Sequence, residues 1–314
     1  MKIVFMGTPE FSAIILKGLC QVEYKPILVV TAPDKPVGRK QIITPPPVKT
    51  LAERYKIPVI QPDKILDSKS QILDSKPDLI VVAAYGQILP KEILEIPKLG
   101  CLNVHPSLLP RWRGPSPIQY AILNGDKKTG VTIMLMDEKI DHGPILSQRE
   151  IIIDEKETGK TLYEKLTNLG ARLLSETIFQ LEKGLIKPKS QNEEKATYSK
   201  VLVREDGKIN WQNTAEEIER QIRAFDLWPG SFTFWEIMKG KLLRIKIFKA
   251  EVFKSPTGQT FSIGKVLVVP LNRAGVQSGK DFLLIEELQL EGQKTMESEE
   301  FLRGHPDFVH ATLK

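Results

Sequence analysis

The stretch Cys101-Leu102-Asn103-Val104-His105-Pro106, continued by Ser107-Leu108-Leu109-Pro110-Arg111-Trp112-Arg113-Gly114, decides the fold. Residues 101–105 read as a short buried strand, and the two-residue alternation of a strand puts Asn103 and His105 on one face. Pro106 cannot continue a central strand, so the chain turns directly after His105 and leaves the imidazole at the strand's carboxyl end. Open α/β sheets bind their ligands at that end.

Working outward, residues 3–6, 27–31, 79–84 and 131–136 are further short, near-continuous apolar runs, the pattern of central strands covered on both faces. Helical spacing lies between them: Phe11, Ile14, Ile15 and Leu19 after Pro9, then Leu162, Leu166, Leu169 and Leu173 in a longer helix ending near Gly184. The alternation predicts an α/β domain with a doubly wound, mostly parallel sheet over residues 1–189. Gly184 and Pro188 close it, and a polar linker follows over 190–207. Beyond it, Thr214-Ala215-Glu216-Glu217 is a capping box opening a helix with apolar Ile218, Ile222 and Phe225, ended by Trp228-Pro229-Gly230. The period then changes to two. Leu243, Ile245 and Ile247 face one way, Arg244 and Lys246 the other, and further strands are expected at 264–269 and 282–285, which predicts a small, OB-like β-barrel over 208–314.

A chain of 314 residues with 41% hydrophobic content fits two ordinary domains and excludes disordered and fibrous classes. Cys20 and Cys101 sit in apolar surroundings without CxxC or Cys/His spacing, so reduced thiols and no structural zinc are expected. Met1 leads directly into a strand, with no signal or transit pattern and no apolar run of membrane-spanning length, which points to the cytoplasm. The net charge of +6 is unevenly placed: Lys239, Lys241, Arg244, Lys246, Lys249 and Lys254 face Glu251 alone within 239–254, while 281–300 is acidic. A basic face on a small β domain suits a polyanion, and a solvated lysine-rich surface reads equally well.

Several chemistries lack their signatures. Gly7-Thr8-Pro9 has neither the GxGxxG spacing nor the backbone donors a dinucleotide needs, and neither Walker A nor GxSxG appears. A metal hydrolase would have to gather His105, His142 and Asp141, which nothing in the spacing forces. Asn103, His105 and Asp141 instead suit transfer of an acyl-type group between two nitrogens. The attacking amine loses a proton to an imidazole, the carbonyl oxygen turns negative beside an amide donor, and a carboxylate orients the imidazole. An amine of pKa about 7.7–8.0 is already partly deprotonated near neutrality, so no covalent enzyme intermediate is required. Taken singly, each residue has an equally ordinary structural role, and Asp141-His142-Gly143 also reads as a capped turn.

Together, the run from Asn103 to Gly114 and Asp141-His142-Gly143 resembles the formyltransferases that use 10-formyltetrahydrofolate. Met6-Gly7-Thr8-Pro9-Glu10-Phe11, Pro33-Asp34-Lys35-Pro36 with Gly38-Arg39, Ala83-Ala84-Tyr85-Gly86-Gln87-Ile88-Leu89-Pro90, and Ile222-Arg223-Ala224-Phe225 with Trp228-Pro229-Gly230 are similar to the branch of that family whose acceptor is methionyl initiator tRNA. The match runs nearly end to end. It implies that Asn103, His105 and Asp141 are catalytic, and that 10-formyltetrahydrofolate is the donor without a metal. It also implies that Ser107, Leu108, Leu109 and Pro110 line the folate site, while Tyr85, Gly86, Gln87, Ile88, Leu89 and the loop 136–141 hold the pterin through backbone groups. The insertion carrying Lys35, Arg39, Lys40 and Lys49 is implied to enter the acceptor end of the tRNA, with Arg39 as the matching arginine, and Arg244 and Lys246 to hold the tRNA body in a monomeric enzyme.

The chain departs from the family in two places. It reads Lys139-Ile140-Asp141-His142-Gly143 where a glycine and a threonine are usual, which predicts an altered loop around Asp141. Its insertion has Lys40-Gln41-Ile42 where relatives commonly have glycine and two lysines, which shifts more of the expected hold on RNA to the basic strand of the second half.

Overall fold

The apolar runs of the first half become neighbouring strands of one sheet in the computed structural model, which describes residues 1–38, 40–238, 240–254, 261–269 and 273–314. Chain order is β1 (Ile3–Gly7), α1 (Glu10–Cys20), β2 (Leu28–Val30), β3 (Lys35–Val37), β4 (Ile42–Thr44), α2 (Pro47–Arg54), β5 (Val59–Ile60), α3 (Lys69–Ser75), β6 (Leu79–Ala83), α4 (Lys91–Leu94), β7 (Cys101–His105), α5 (Pro117–Leu123), β8 (Lys128–Leu135), β9 (Ile145–Ile152) and α6 (Gly159–Glu182). The seven-stranded sheet runs β5-β2-β1-β6-β7-β8-β9, parallel through β7 and antiparallel beyond it. All residues of β1, β2 and β6 are buried, which is why they read as unbroken apolar runs. The order reverses between β1 and β6, so the carboxyl ends of the strands there open the crevice in which such sheets take ligands. Gly18 lets α1 close on α6, since a Cβ there would lie 2.9 Å from that of Ala171.

Contacts divide the chain into two units. One comprises Met1–Pro117, Lys128–Ile152 and Tyr163–Ser199; the other comprises Ile118–Lys127, Ile153–Leu162 and Lys200–Lys314. The second contains α7 (Ala215–Ala224), β10 (Ser231–Met238), β11 (Lys241–Phe253), β12 (Val266–Val269), β13 (Arg273–Gln277), β14 (Phe282–Leu290), β15 (Met296–Glu297) and α8 (Ser298–Gly304). The expected capping box opens α7: Thr214 Oγ1 accepts from the Glu217 N–H at 3.2 Å while Glu217 accepts from the Thr214 N–H at 2.8 Å.

The antiparallel half-barrel sheet of this unit runs β10-β11-β14-β13-β12, with β15 on β14. Ile245 and Ile247 point into a core with Trp211, Trp235, Phe301 and Phe308, and Arg244 and Lys246 alternate outward, as period two predicts. The final residues occupy both sheet edges: Lys314 exchanges backbone hydrogen bonds with Phe234 of β10, while His310 and Ala311 bond to Val266 of β12. Backbone groups that an open edge would expose are thereby paired. Among the described residues, no helix is long and apolar enough to cross a membrane.

Candidate active site

β7 carries the first two site residues. Strand alternation puts Asn103 and His105 together on one face, and register sets them opposite Met134 and Thr132 of β8. Thr132 fastens the turn that Pro106 starts: its Oγ1 donates to the Ser107 carbonyl at 2.6 Å and accepts from the Leu109 N–H at 3.1 Å and from Gln148 Nε2 at 2.8 Å. Ser107 Oγ donates to the Arg111 carbonyl at 2.6 Å. Ser107 and Leu109 thus lie buried inside the turn, while Leu108 and Pro110 are half-buried.

The turn brings the Trp112 carbonyl to 3.0 Å from His105 Nε2. A carbonyl only accepts, so Nε2 carries a proton and Nδ1 is left facing the third residue. That residue is Asp141, from the connection between β8 and β9. Its Oδ1 lies 3.6 Å from His105 Nδ1 and accepts from Asn103 Nδ2 at 3.2 Å, and its Oδ2 accepts from the Gly114 N–H at 2.8 Å. A proton taken at Nδ1 therefore places its charge beside a carboxylate in a pocket where His105 is only 5% exposed. Asn103 Nδ2 has a second hydrogen to offer an incoming oxygen.

Backbone conformation holds this cluster. Asp141 has φ +49° and Trp112 φ +57°, left-handed values costing about 1–3 kcal/mol when a non-glycine residue is held in them. Such strain concentrates where a site needs its groups fixed. Two glycines are required outright: a Cβ on Gly143 would lie 1.9 Å from the Leu135 carbonyl oxygen, and Gly114, at φ +101°, would put one 2.7 Å from that of Ser199. Lys139 adopts no positive φ, so its position makes no demand for glycine, and His142 Nδ1 pairs with Asp137 at 2.5 Å. Cys101 shares the strand, and burial pushes its thiol up to about 12, which makes it a packing residue and no nucleophile.

The loop after β6 opens on Ala84 at φ +43° and Gly86 at φ +90°. Burial pushes the Tyr85 phenol up to about 12, and its hydroxyl is buried without a hydrogen-bond partner among the described residues. Gln87 accepts from the Ile65 N–H at 2.8 Å, Leu89 joins the core, and Ile88 is exposed. Lys35 and Lys40 are exposed on the β3–β4 hairpin, Lys49 pairs with Asp34 at 2.8 Å, and Arg39 lies outside the described residues. In the second unit the Arg244 guanidinium lies 5.8 Å from the Phe232 ring centre, Lys246 pairs with Phe232 in register, and Lys208 lies 5.7 Å from the Phe234 ring. Lys239 also falls outside the described residues.

Sequence reasoning missed three parts of the site. The Trp112 carbonyl and Gly114 amide are backbone groups, invisible to any reading of side chains. The third is Gln191, whose Nε2 donates to the carbonyls of Asp141 at 2.9 Å and Gly143 at 2.8 Å from a segment that reads as linker.

Residues 1–178 match the family described as Formyl transferase, and residues 202–306 the one described as Formyl transferase, C-terminal domain. The methionyl-tRNA formyltransferases of Bacillus cytotoxicus and Bacillus subtilis are each 47% identical to this chain, over 97% and 96% of it and 96% and 94% of their own lengths. Among solved structures, the N-formyltransferase from Helicobacter canadensis, in complex with folinic acid and dTDP-3-aminofucose, shares the fold with a TM-score of 0.66 at 22% identity, over 91% of this chain and 98% of that one.

Proposed function

The chain belongs to the methionyl-tRNA formyltransferase family, and on that premise we propose that it transfers the formyl group of 10-formyltetrahydrofolate to the amino group of methionine esterified to initiator tRNA. The observation that carries the reading is the convergence of Asn103, His105 and Asp141 at the carboxyl end of β7. The methionyl nitrogen attacks the formyl carbon and forms a C–N bond while the carbonyl electron pair moves to oxygen. Asn103 donates to that oxygen, a contribution typically worth about 10²–10³ in rate. His105 takes the proton from nitrogen, Asp141 stabilises the charged ring, and the bond from carbon to the folate nitrogen breaks as that nitrogen regains a proton.

The folate is assigned to the loop after β6, whose positive-φ backbone at Ala84 and Gly86 supports a chain turned to present its backbone groups to a flat heterocycle. Ser107 to Pro110 and the loop bearing Asp141 would complete its surroundings. Lys35, Arg39, Lys40 and Lys49 of the insertion, with Arg244 and Lys246 of β11, are the residues we assign to the tRNA, where phosphate contacts supply affinity and the ease of opening the terminal pair supplies selection. The aromatic partners of Arg244 and Lys208 support that face as one able to meet nucleic acid.

The test compares charged initiator and elongator methionyl-tRNA as acceptors at saturating 10-formyltetrahydrofolate. The first should be formylated and the second scarcely. Equal use of both would refute the selection mechanism, and formylation of a free small amine with no response to tRNA would refute the acceptor.

A further inference from the structure

We propose that Gln191 is a positioning residue for the transfer, setting the distance between the Asp141 carboxylate and the His105 imidazole. The proposal rests on the roles given above to Asp141 and His105. Gln191 donates both hydrogens of its amide to the carbonyls of Asp141 and Gly143, at 2.9 and 2.8 Å, on either side of His142. Its Oε1 accepts from Arg113 Nε at 3.1 Å and from Nη2 at 2.9 Å. These partners admit one orientation of the amide, because a flipped group would set its NH₂ against a guanidinium and its oxygen against two carbonyls.

Only a neutral primary amide meets both demands. A glutamate would repel the carbonyls, and a leucine would leave them, and Arg113, short of partners. Arg113 is itself 1% exposed and is completed by Glu193, at 3.0 and 2.6 Å. A buried guanidinium and its partner contribute little net stability, so its value lies in where it holds Gln191. The same segment holds the other side of the imidazole: Thr197 Oγ1 accepts from the Trp112 N–H at 2.9 Å, and the Thr197 carbonyl accepts from the Arg113 N–H at 2.8 Å. Both groups facing His105 are therefore fixed from residues 191–197.

The test uses Gln191→Leu and the nearly isosteric Gln191→Glu in the full chain, with formylation of methionyl initiator tRNA measured in the steady state and in single turnover. In both, kcat should fall about 10–100-fold, as for a misplacement of roughly 1 Å, while KM for folate and tRNA stays within about threefold. The single-turnover rate constant, measured with enzyme in saturating excess, should fall by the same factor. That rate constant does not depend on how much of the protein is folded, so a merely structural role would leave it in place. Wild-type kcat in Gln191→Glu, a fall in kcat with an unmoved single-turnover rate constant, or failure of both variants to fold would each overturn the proposal. An inactive wild-type enzyme would instead count against the reading of the site itself.

Discussion

Two regions of the first unit treat their side chains in opposite ways. Around Asp141 each polar group is tied to another, whereas every residue of β3 and β4 is exposed, and Val37, Ile42 and Ile43 project into solvent with Ile43 at 70% exposure. The base of that hairpin is pinned by Asp34, which accepts from Lys49 and Gln61. Transfer chemistry gains from donors fixed before charge develops. Meeting a deformable polymer calls for a solvated element that reaches out from a rigid scaffold.

The sharpest way to break the contrast is Asn103→Ala, expected to lower kcat about 10²–10³-fold in single-turnover formylation. A loss confined to KM would remove the oxyanion role. Thr132→Val comes next: it strips the hydroxyl that bonds Ser107, Leu109 and Gln148, and should destabilise the protein by about 1–3 kcal/mol in urea unfolding and lower kcat. Unchanged stability would show that the turn does not depend on it. In the hairpin the effects should reverse. Lys35→Ala with Lys40→Ala should raise KM for tRNA severalfold and reduce the salt slope by about 1 for each phosphate no longer neutralised, with stability within about 0.5 kcal/mol of wild type. A change in folate affinity would contradict this division.

The smallest effect belongs to Glu193. Its hydrogen bonds with Arg113 hold the carboxyl below the usual carboxylate range against the opposing pull of burial. A lowered value in the folded state gives stabilisation that is present above the unfolded value of about 4.3 and is lost as pH falls through the folded one. Glu193→Gln should therefore show a shallower fall in stability below about pH 4, and only slightly so, because the side chain is 57% exposed. Identical acid unfolding curves would show that the pair contributes nothing to stability.

Much of this contrast is legible in the sequence. β7 announces itself because it is buried on both sides and stopped by Pro106, and period two then places Asn103 beside His105. β9 does not, since it is an edge strand carrying Ser147, Gln148, Arg149 and Glu150, and its exposed face breaks the apolar run. Residues 191–199 read as linker because they are polar, yet they join the loop 110–114 through backbone bonds of Thr197 and Ser199 and through the side chains of Gln191 and Glu193 on Arg113, a long-range pairing that composition does not encode. Lys139 and His142 point in the sequence to a changed loop, and the steric demand in this site falls on Gly143 and Gly114, which the sequence does not single out.

The central claim is that His105 carries the proton from the attacking amine with Asp141 beside it. Single-turnover formylation of methionyl initiator tRNA by His105→Ala, with folate binding measured on the same sample, tests it most directly. The rate constant should drop about 10²–10⁴-fold with folate affinity retained. A rate within about tenfold of wild type near neutral pH, with folate bound, would contradict it.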